Sequence, residues 1–510
     1  MTLLNGQESI PSWAKKAVLL LVIVISAAVT WYDKMNVYID KYDDAYIGYR
    51  IAKNIISGYG EVYNRGEVVR ANTSLLYPAL ISPAFLLETD TAIRVLDYFD
   101  LLTFLAATLV FAALTTGLAE QLTGFKHWLI LPLVYLMLAG YQNLSLGMET
   151  QVYILTIGLT FYLYYIKKRM FAAFALSCTG IFIRPEGVLL TIIVFACALA
   201  DDRKNILKYL YTGSGAALLY LLISVGYYGE FIPHTASVKD VLFPDKFESA
   251  KNYFITVFIP QNLYTFYSVF AIIPIILLGR RLNGFLIWGF AYFIFFSLKA
   301  TWFNAYGWYR MPFSYFITSI EAIGIIWAFV WARKNMPLVK QGGKIRLAFD
   351  GFAALISVAY TYKLFCLTII INSFWAKDYQ NRVPVARCIA EKLNEIKPTG
   401  YCILEPVGII GLYAFDVKFK DYPGLNNHEV FDVVKEYREK GHFFAYGDST
   451  QEFEAIVAKV PGLQYAILRR HEANLLLKKG IIAQSQIVKT CFYDINELGD
   501  KHMLIVKLKD

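Results

Sequence analysis

Eleven apolar runs of roughly membrane-spanning length punctuate the chain, near residues 15–33, 97–118, 127–144, 149–167, 170–184, 186–200, 206–227, 260–279, 284–300, 312–333 and 347–372. In hydrocarbon every backbone polar group needs an internal partner, so such runs fold as helices. Composition agrees: 57% of the 510 residues are apolar and 17% charged, against about a quarter charged in a soluble domain. The net charge of +9 does not form a nucleic-acid patch, because the basic residues fall in short groups between apolar runs. Residues 17–32 are too long and apolar for the core of a signal peptide and lack a small-residue cleavage site. They read as an uncleaved first span.

The basic groups orient the spans. Lys15 and Lys16, Lys126, Lys167 to Arg169, Arg203 to Lys208, Arg280 with Arg281, and Arg333 to Arg346 all lie on one side of an eleven-span arrangement. Positive residues mark the cytoplasmic side. The expected N-terminus is therefore cytoplasmic. The other face receives residues 34–96, 145–148, 184–186, 228–259, 300–311 and everything after 373. "SLLYPALISPAFLLE", 74–88, is apolar but short and holds two prolines. Counting it as a span would invert the later loops, so it reads as an interfacial helix. The first external loop then carries two juxtamembrane helices, near 43–57 and 74–88.

Residues 1–373 form the expected transmembrane domain and 374–510 a small extracytoplasmic α/β domain. There, 402–414, 464–470 and 503–510 read as strands, and 381–396 and 428–440 as amphipathic helices. Of six cysteines, Cys178, Cys197 and Cys366 sit in apolar runs; Cys388, Cys402 and Cys491 allow one disulfide in the outer domain and leave one thiol.

Ionisable residues gather at the external helix ends: Asp43, Asp44, Arg50, Glu149, Arg184, Glu186, Glu230, His234, Lys239 and Arg310. At membrane depth such groups are costly and mark functional sites by default. Each also has a plain structural reading. Asp43, Asp44 and Glu149 suit first turns of helices. Arg184 and Glu186 can pair within the turn "RPEG", and Lys239 and Lys299 can snorkel. The aromatic density of "TWFNAYGWYRMPF" suits an interfacial belt. Convergence of acids and bases from four loops on one face favours chemistry. An acid there can take a proton from an acceptor hydroxyl. Arginine and lysine can hold a phosphate leaving group, and aromatic rings can stack on sugars. No Walker A loop or dinucleotide fingerprint is present, which favours a lipid-linked donor.

The stretch "DDAYIGYRIAKNIISGYGEVYNRGEVVRANTSLLYPAL" resembles the first external loop of GT-C fold glycosyltransferases. It is most similar to the arabinofuranosyltransferases that add terminal residues to cell-envelope arabinan, and to their bacterial relatives. Matching positions include Asp43, Asp44, Tyr49, Arg50, Asn54, Gly58, Gly60, Asn64, Gly66, Glu67, Thr73 and Ser74. Downstream, "GMET" at 147–150, "RPEG" at 184–187, "YYGEFIPHTASVK" at 227–239 and "DYPGL" at 421–425 match in order. Two positions depart from the pattern. His234 stands where asparagine is usual, and "FNAYGWYRMPF" keeps Trp308, Arg310 and Pro312 without the usual acid.

The resemblance implies an inverting glycosyltransferase that moves a sugar, arabinofuranose as the first candidate, from a polyprenyl-phosphate donor. The acceptor would be an envelope glycan, glycolipid or protein. Asp43 is the expected general base, with Asp44 as substitute and as the residue better suited to capping. Arg184, Lys239 and Arg310 are the expected phosphate contacts. Glu149 and Glu186 would orient basic groups or hydroxyls, and His234, Trp308 and Tyr49 would complete the donor site. No metal or other cofactor is expected; Asp43, Asp44 and Glu149 could form an oxygen site, but the basic residues make it unnecessary. The competing readings are a transporter or flippase of a lipid-linked glycan and a non-catalytic envelope scaffold. A transporter calls for inverted repeats and helices broken near the midplane, and neither is visible.

Overall fold

The computed structural model describes residues 11–32, 41, 43–141, 146–242, 251, 275–276, 283–299, 307–336, 382–404, 407–439, 450–492 and 502–508. Nine of the eleven expected spans coincide with helices. These are α1 (Ser12–Tyr32), α4 (Thr89–Thr123), α5 (Ile130–Tyr141), α6 (Thr150–Phe161, continued by a π turn to Ile166), α7 (Met170–Ile183), α8 (Gly187–Asp201), α9 (Ile206–Leu221, continued by a π turn to Tyr227), α11 (Asn283–Lys299) and α12 (Gly307–Asn335). The expected spans at 260–279 and 347–372 lie outside the described residues, 275–276 excepted, as does the expected domain boundary. Among the described residues four helices are long and apolar enough to cross a membrane by themselves: Ser12–Tyr32, Thr89–Thr123, Arg203–Tyr227 and Tyr309–Asn335. The shorter apolar helices α5, α6, α7, α8 and α11 share one core with α12, in which Tyr153, Phe161, Phe285, Trp288, Tyr292 and Phe316 interlock. Trp13, Leu20, Leu21 and Val24 of α1, and Leu207, Leu218 and Leu222 of α9 with its π turn, are exposed. Such a surface suits lipid rather than water.

Two helices lie between α1 and α4, at the positions the sequence suggests. They are α2 (Asp43–Ile56) and α3 (Tyr77–Ile81), the latter extended by a 3-10 turn to Leu86. Helix α4 is longer than its expected span. At 35 residues it runs about 52 Å, and its outer turns bury Ala92, Ile93 and Leu96 against α2 and α3. Helix α10 (His234–Leu242) follows α9 on the same side as α2.

The C-terminal part is an α/β unit around a five-stranded sheet, in the order β2–β1–β3–β5–β4. Strands β1 (Tyr401–Leu404), β2 (Lys418–Asp421) and β3 (Leu463–Arg469) are parallel; β5 (His502–Lys507) pairs antiparallel with β3 and with β4 (Ile487–Phe492). The expected helices near 381–396 and 428–440 are α13 (Arg382–Ile396) and α15 (His428–Glu439). Strands β2 and β4 and helices α16 (Gln451–Lys459) and α17 (Arg470–Lys478) have no counterpart in the sequence reading. A second correction falls on "CILEPVGIIGLYA". Only its start is strand, because "GIIGLY" forms helix α14 (Gly408–Tyr413). A short apolar run buried on every side carries no period to tell the two apart. Cys388 and Cys491 form a disulfide that ties α13 to β4, and Cys402 is a buried free thiol.

Candidate active site

The most distinctive motif of the sequence is largely a docking seam. Asp43 and Arg50 are seven residues apart on α2, two turns and about 10 Å along its axis. That span matches six-residue α14. The backbone N–H groups of Gly408 and Ile409 donate to the Asp43 carboxylate at 2.7 and 2.9 Å. At the other end Arg50 donates to the carbonyls of Gly411, Ala414 (3.3 Å) and Val417 (2.7 Å). An anion thus faces the N-terminus of α14 and a cation its C-terminus, the arrangement that the helix dipole favours. Gly408 is required here, since a Cβ would fall 2.0 Å from the Asp43 carbonyl oxygen. Tyr63 donates to the Val407 carbonyl at 2.8 Å. Asn64 exchanges two hydrogen bonds with the Phe419 backbone, at 2.7 and 3.0 Å. Glu67 accepts from the Tyr401 hydroxyl. Asn54 instead braces its own loop through the Val62 and Tyr63 carbonyls.

Asp44, one residue on, points elsewhere. It lines a cavity of about 520 Å³, part of it open to solvent, together with Asn72, Thr73, Tyr77, Gly147, Met148, Glu149, Thr235, Lys239, Tyr309 and Leu425. The cavity sits where α2, the turn before α3, the "GMET" turn, α10, the start of α12 and the "DYPGL" turn converge. Its charged lining residues are Asp44, Glu149 and Lys239. The division of labour between the aspartates is therefore the reverse of the sequence expectation: Asp43 caps a helix of the C-terminal domain and Asp44 faces the cavity.

Lys239 donates to the Tyr309 hydroxyl at 3.0 Å. Burial disfavours its charge, but Tyr309 and Asp44 outweigh burial and hold its pKa above the ordinary lysine value. Glu149 does not cap the helix it precedes. It accepts from Arg184 at 2.7 Å, while the Arg184 Nε donates to Glu186. Arg184 is 3% exposed and its charge is committed to two carboxylates. It steadies Glu149 and lies over the Tyr309 ring, 5.1 Å from the centroid, rather than lining the cavity. Glu186 stands behind it.

Two further expectations change. Tyr49 is fully buried against Tyr46 and Phe85, and a Cβ on Gly147 would lie 2.7 Å from its hydroxyl. It is a packing residue and has no face on the cavity. His234 is 4% exposed and its Nε2 donates to the Gly424 carbonyl at 2.9 Å. It joins α10 to the "DYPGL" turn and leaves the cavity wall to its neighbour Thr235. Arg310 lies in the first turn of α12 and is not among the described lining residues. The Trp308 backbone belongs to the same turn, and its side chain lies outside the described residues.

The cavity wall also depends on buried groups that the sequence reading passed over. Asp100 is fully buried; it accepts from the Gly147 N–H at 2.5 Å and from the Tyr77 hydroxyl at 3.4 Å. It thereby holds two parts of the lining. Asp97, one turn away, pairs with Lys41 at 2.7 Å. Arg70 donates to the Thr73 carbonyl and to Tyr220 and Ser224, each at 3.1 Å. An acid inside an apolar run was the available signal for Asp97 and Asp100. Thr235 and Tyr309 lie inside "YYGEFIPHTASVK" and "TWFNAYGWYRMPF", but neither is charged, so charge at membrane depth did not single them out.

No family model matches the chain. A terminal β-(1→2)-arabinofuranosyltransferase of Mycobacterium tuberculosis is 27% identical over 219 residues, a match that covers 39% of this chain and 34% of that protein. The archaeal oligosaccharyltransferase AglB of Archaeoglobus fulgidus, solved with an inhibitory peptide and a dolichol-phosphate, superposes with a TM-score of 0.54 at 15% identity. That superposition covers 89% of this chain and 70% of that one. ArnT of Cupriavidus metallidurans, solved with undecaprenyl phosphate, aligns over 97% of both chains at 12% identity and a TM-score of 0.47. The chain shares the fold of the archaeal oligosaccharyltransferase, apolar helices with a small sheet domain attached, in line with the expected resemblance.

Proposed function

We propose that the protein is an inverting glycosyltransferase that takes its sugar from a polyprenyl-phosphate donor and acts on the external face of the bacterial inner membrane. The observation that carries this reading is one cavity, at the ends of apolar helices, with Asp44 and the Lys239–Tyr309 pair on its wall. Asp44 accepts the proton of an acceptor hydroxyl as its oxygen attacks the anomeric carbon. The bond from that carbon to the phosphate oxygen breaks, its electron pair leaves with polyprenyl phosphate, and the centre inverts. The departing phosphate gains one negative charge. Lys239 and the Tyr309 hydroxyl meet that charge, and a pre-positioned donor of this kind is worth about 3–4 kcal/mol in the transition state. Glu149, held by Arg184, would orient sugar hydroxyls.

The disulfide between Cys388 and Cys491 supports placing the C-terminal domain outside the cytoplasm, where thiols oxidise. Similarity to the mycobacterial enzyme makes arabinofuranose the first sugar to test, with envelope glycans, glycolipids and proteins as acceptors. The test uses purified full-length protein, a polyprenyl-phospho-sugar and candidate acceptors. Release of polyprenyl phosphate that depends on acceptor, and its loss in Asp44→Asn, is the expected result. A chain that neither binds nor consumes any such donor would end this reading.

A further inference from the structure

We propose that Glu230, His234 and His428 bind one divalent transition-metal ion of the zinc type, which staples α10 to the C-terminal domain. The three residues arrive from three places: the turn after α9, the first residue of α10 and the first residue of α15. One ligand atom from each lies within 4.8 Å of the others. His234 Nδ1 is 3.7 Å and His428 Nε2 3.1 Å from Glu230 Oε1. In a tetrahedral zinc site with bonds of about 2.0–2.1 Å, neighbouring ligand atoms sit about 3.4 Å apart. The two separations from Glu230 bracket that value.

The hydrogen bonds argue for a cation at the centre. His234 Nε2 faces the carbonyls of Gly424 and Asn427, at 2.9 and 3.4 Å, so it carries the hydrogen. In the neutral ring Nδ1 then presents a lone pair to the lone pairs of Glu230 Oε1, across a distance too long for a hydrogen bond. A backbone carbonyl on the far nitrogen is also what fixes the tautomer of metal-ligating histidines. Both histidines address the same oxygen, and Glu230 Oε2 is buried with no hydrogen-bond partner among the described residues. A metal ion would satisfy all of these groups. His428 is half exposed, which leaves a path for the ion and a fourth position for water. Two imidazoles and one carboxylate suit zinc and its neighbours better than calcium or magnesium. His234 is also the position that departs from the resembled asparagine pattern.

The site has a consequence for the cavity. Thr235 and Lys239 on α10 and Leu425 in the neighbouring turn all line the cavity, so the ion would fix the distance between the two walls. The proposal does not depend on glycosyl transfer, because binding is read directly. Full-length protein in detergent is stripped with chelator and titrated with zinc by calorimetry, then with cobalt by absorption. One zinc per chain is expected, with a tetrahedral cobalt spectrum and a higher thermal midpoint. Loss of one of the three ligands, in Glu230→Gln or His428→Asn, should weaken binding roughly a hundredfold or more. His428 is exposed enough for its variant to fold, and Glu230→Gln keeps the shape of the side chain. No stoichiometric binding, or zinc affinity unchanged in both variants, would overturn the proposal.

Discussion

Exchanging one atom group at Asp43 and at Asp44 should have opposite consequences, although the residues are adjacent. Asp43 accepts two short charge-assisted hydrogen bonds from the first turn of α14. Bonds to a charged group contribute about 1.5–3 kcal/mol each, and a buried N–H left without a partner costs about 1–3 kcal/mol. Asp43→Ala strands both N–H groups, so a loss of about 3–5 kcal/mol in the docking of the C-terminal domain is expected. Asp43→Asn keeps one acceptor and should lose about half of that. Asp44 makes no such seam. Asp44→Asn should leave the thermal midpoint nearly unchanged and lower turnover by a factor of about 10²–10⁴, the usual worth of a general base. The assay pairs thermal unfolding of each variant in detergent with release of polyprenyl phosphate at saturating donor. If Asp43→Asn abolishes turnover at full stability while Asp44→Asn stays active, the assignment from geometry is wrong.

Other consequences follow from the same structure. Lys239→Met should cut kcat by about 10²–10³, the loss typical of one oxyanion donor, with Lys239→Arg retaining part of it in the same assay. Gly408→Ala should destabilise the seam by several kcal/mol, because its Cβ would overlap the Asp43 backbone; unchanged unfolding would show that α14 docks differently. Burial pushes the Glu61 carboxyl up to about 8, against the pull of Tyr228 and Arg70. Its folded pKa thus lies above its unfolded one, so its neutral form supports the fold below pH about 4.5 and that support is lost as pH rises through about 8. The wild-type midpoint should therefore fall relative to Glu61→Gln across that window, and parallel curves would refute the burial argument.

Much of the architecture was legible in one dimension. Apolar length identified the nine described helical spans, and prolines with shortness set 74–88 apart from them as a short helix. Amphipathic period gave α13 and α15. The reading faltered where burial is complete on all sides. "GIIGLY" carries no polar face to set a period, so its helix is decided by α2, which supplies an acceptor at one end and donors at the other. The candidate site divides along the same line. Charge in an apolar setting singled out Asp44, Glu149, Arg184 and Lys239. The same signal also picked Asp43 and His234, which hydrogen-bond to backbone groups of a domain more than a hundred residues away.

Sequence alone determined which residues are costly enough at a membrane surface to need a reason, because that cost depends on residue type and on depth. It also determined the helical membrane class, since apolar length leaves the backbone no other way to bond. Tertiary structure decided which reason each residue has. Neighbouring positions on a helix differ by about 100° in direction, and that rotation alone sends Asp43 to a helix end and Asp44 to the cavity. Which groups lie along each direction is set by the packing of the C-terminal domain on α2, through contacts between residues far apart in the chain.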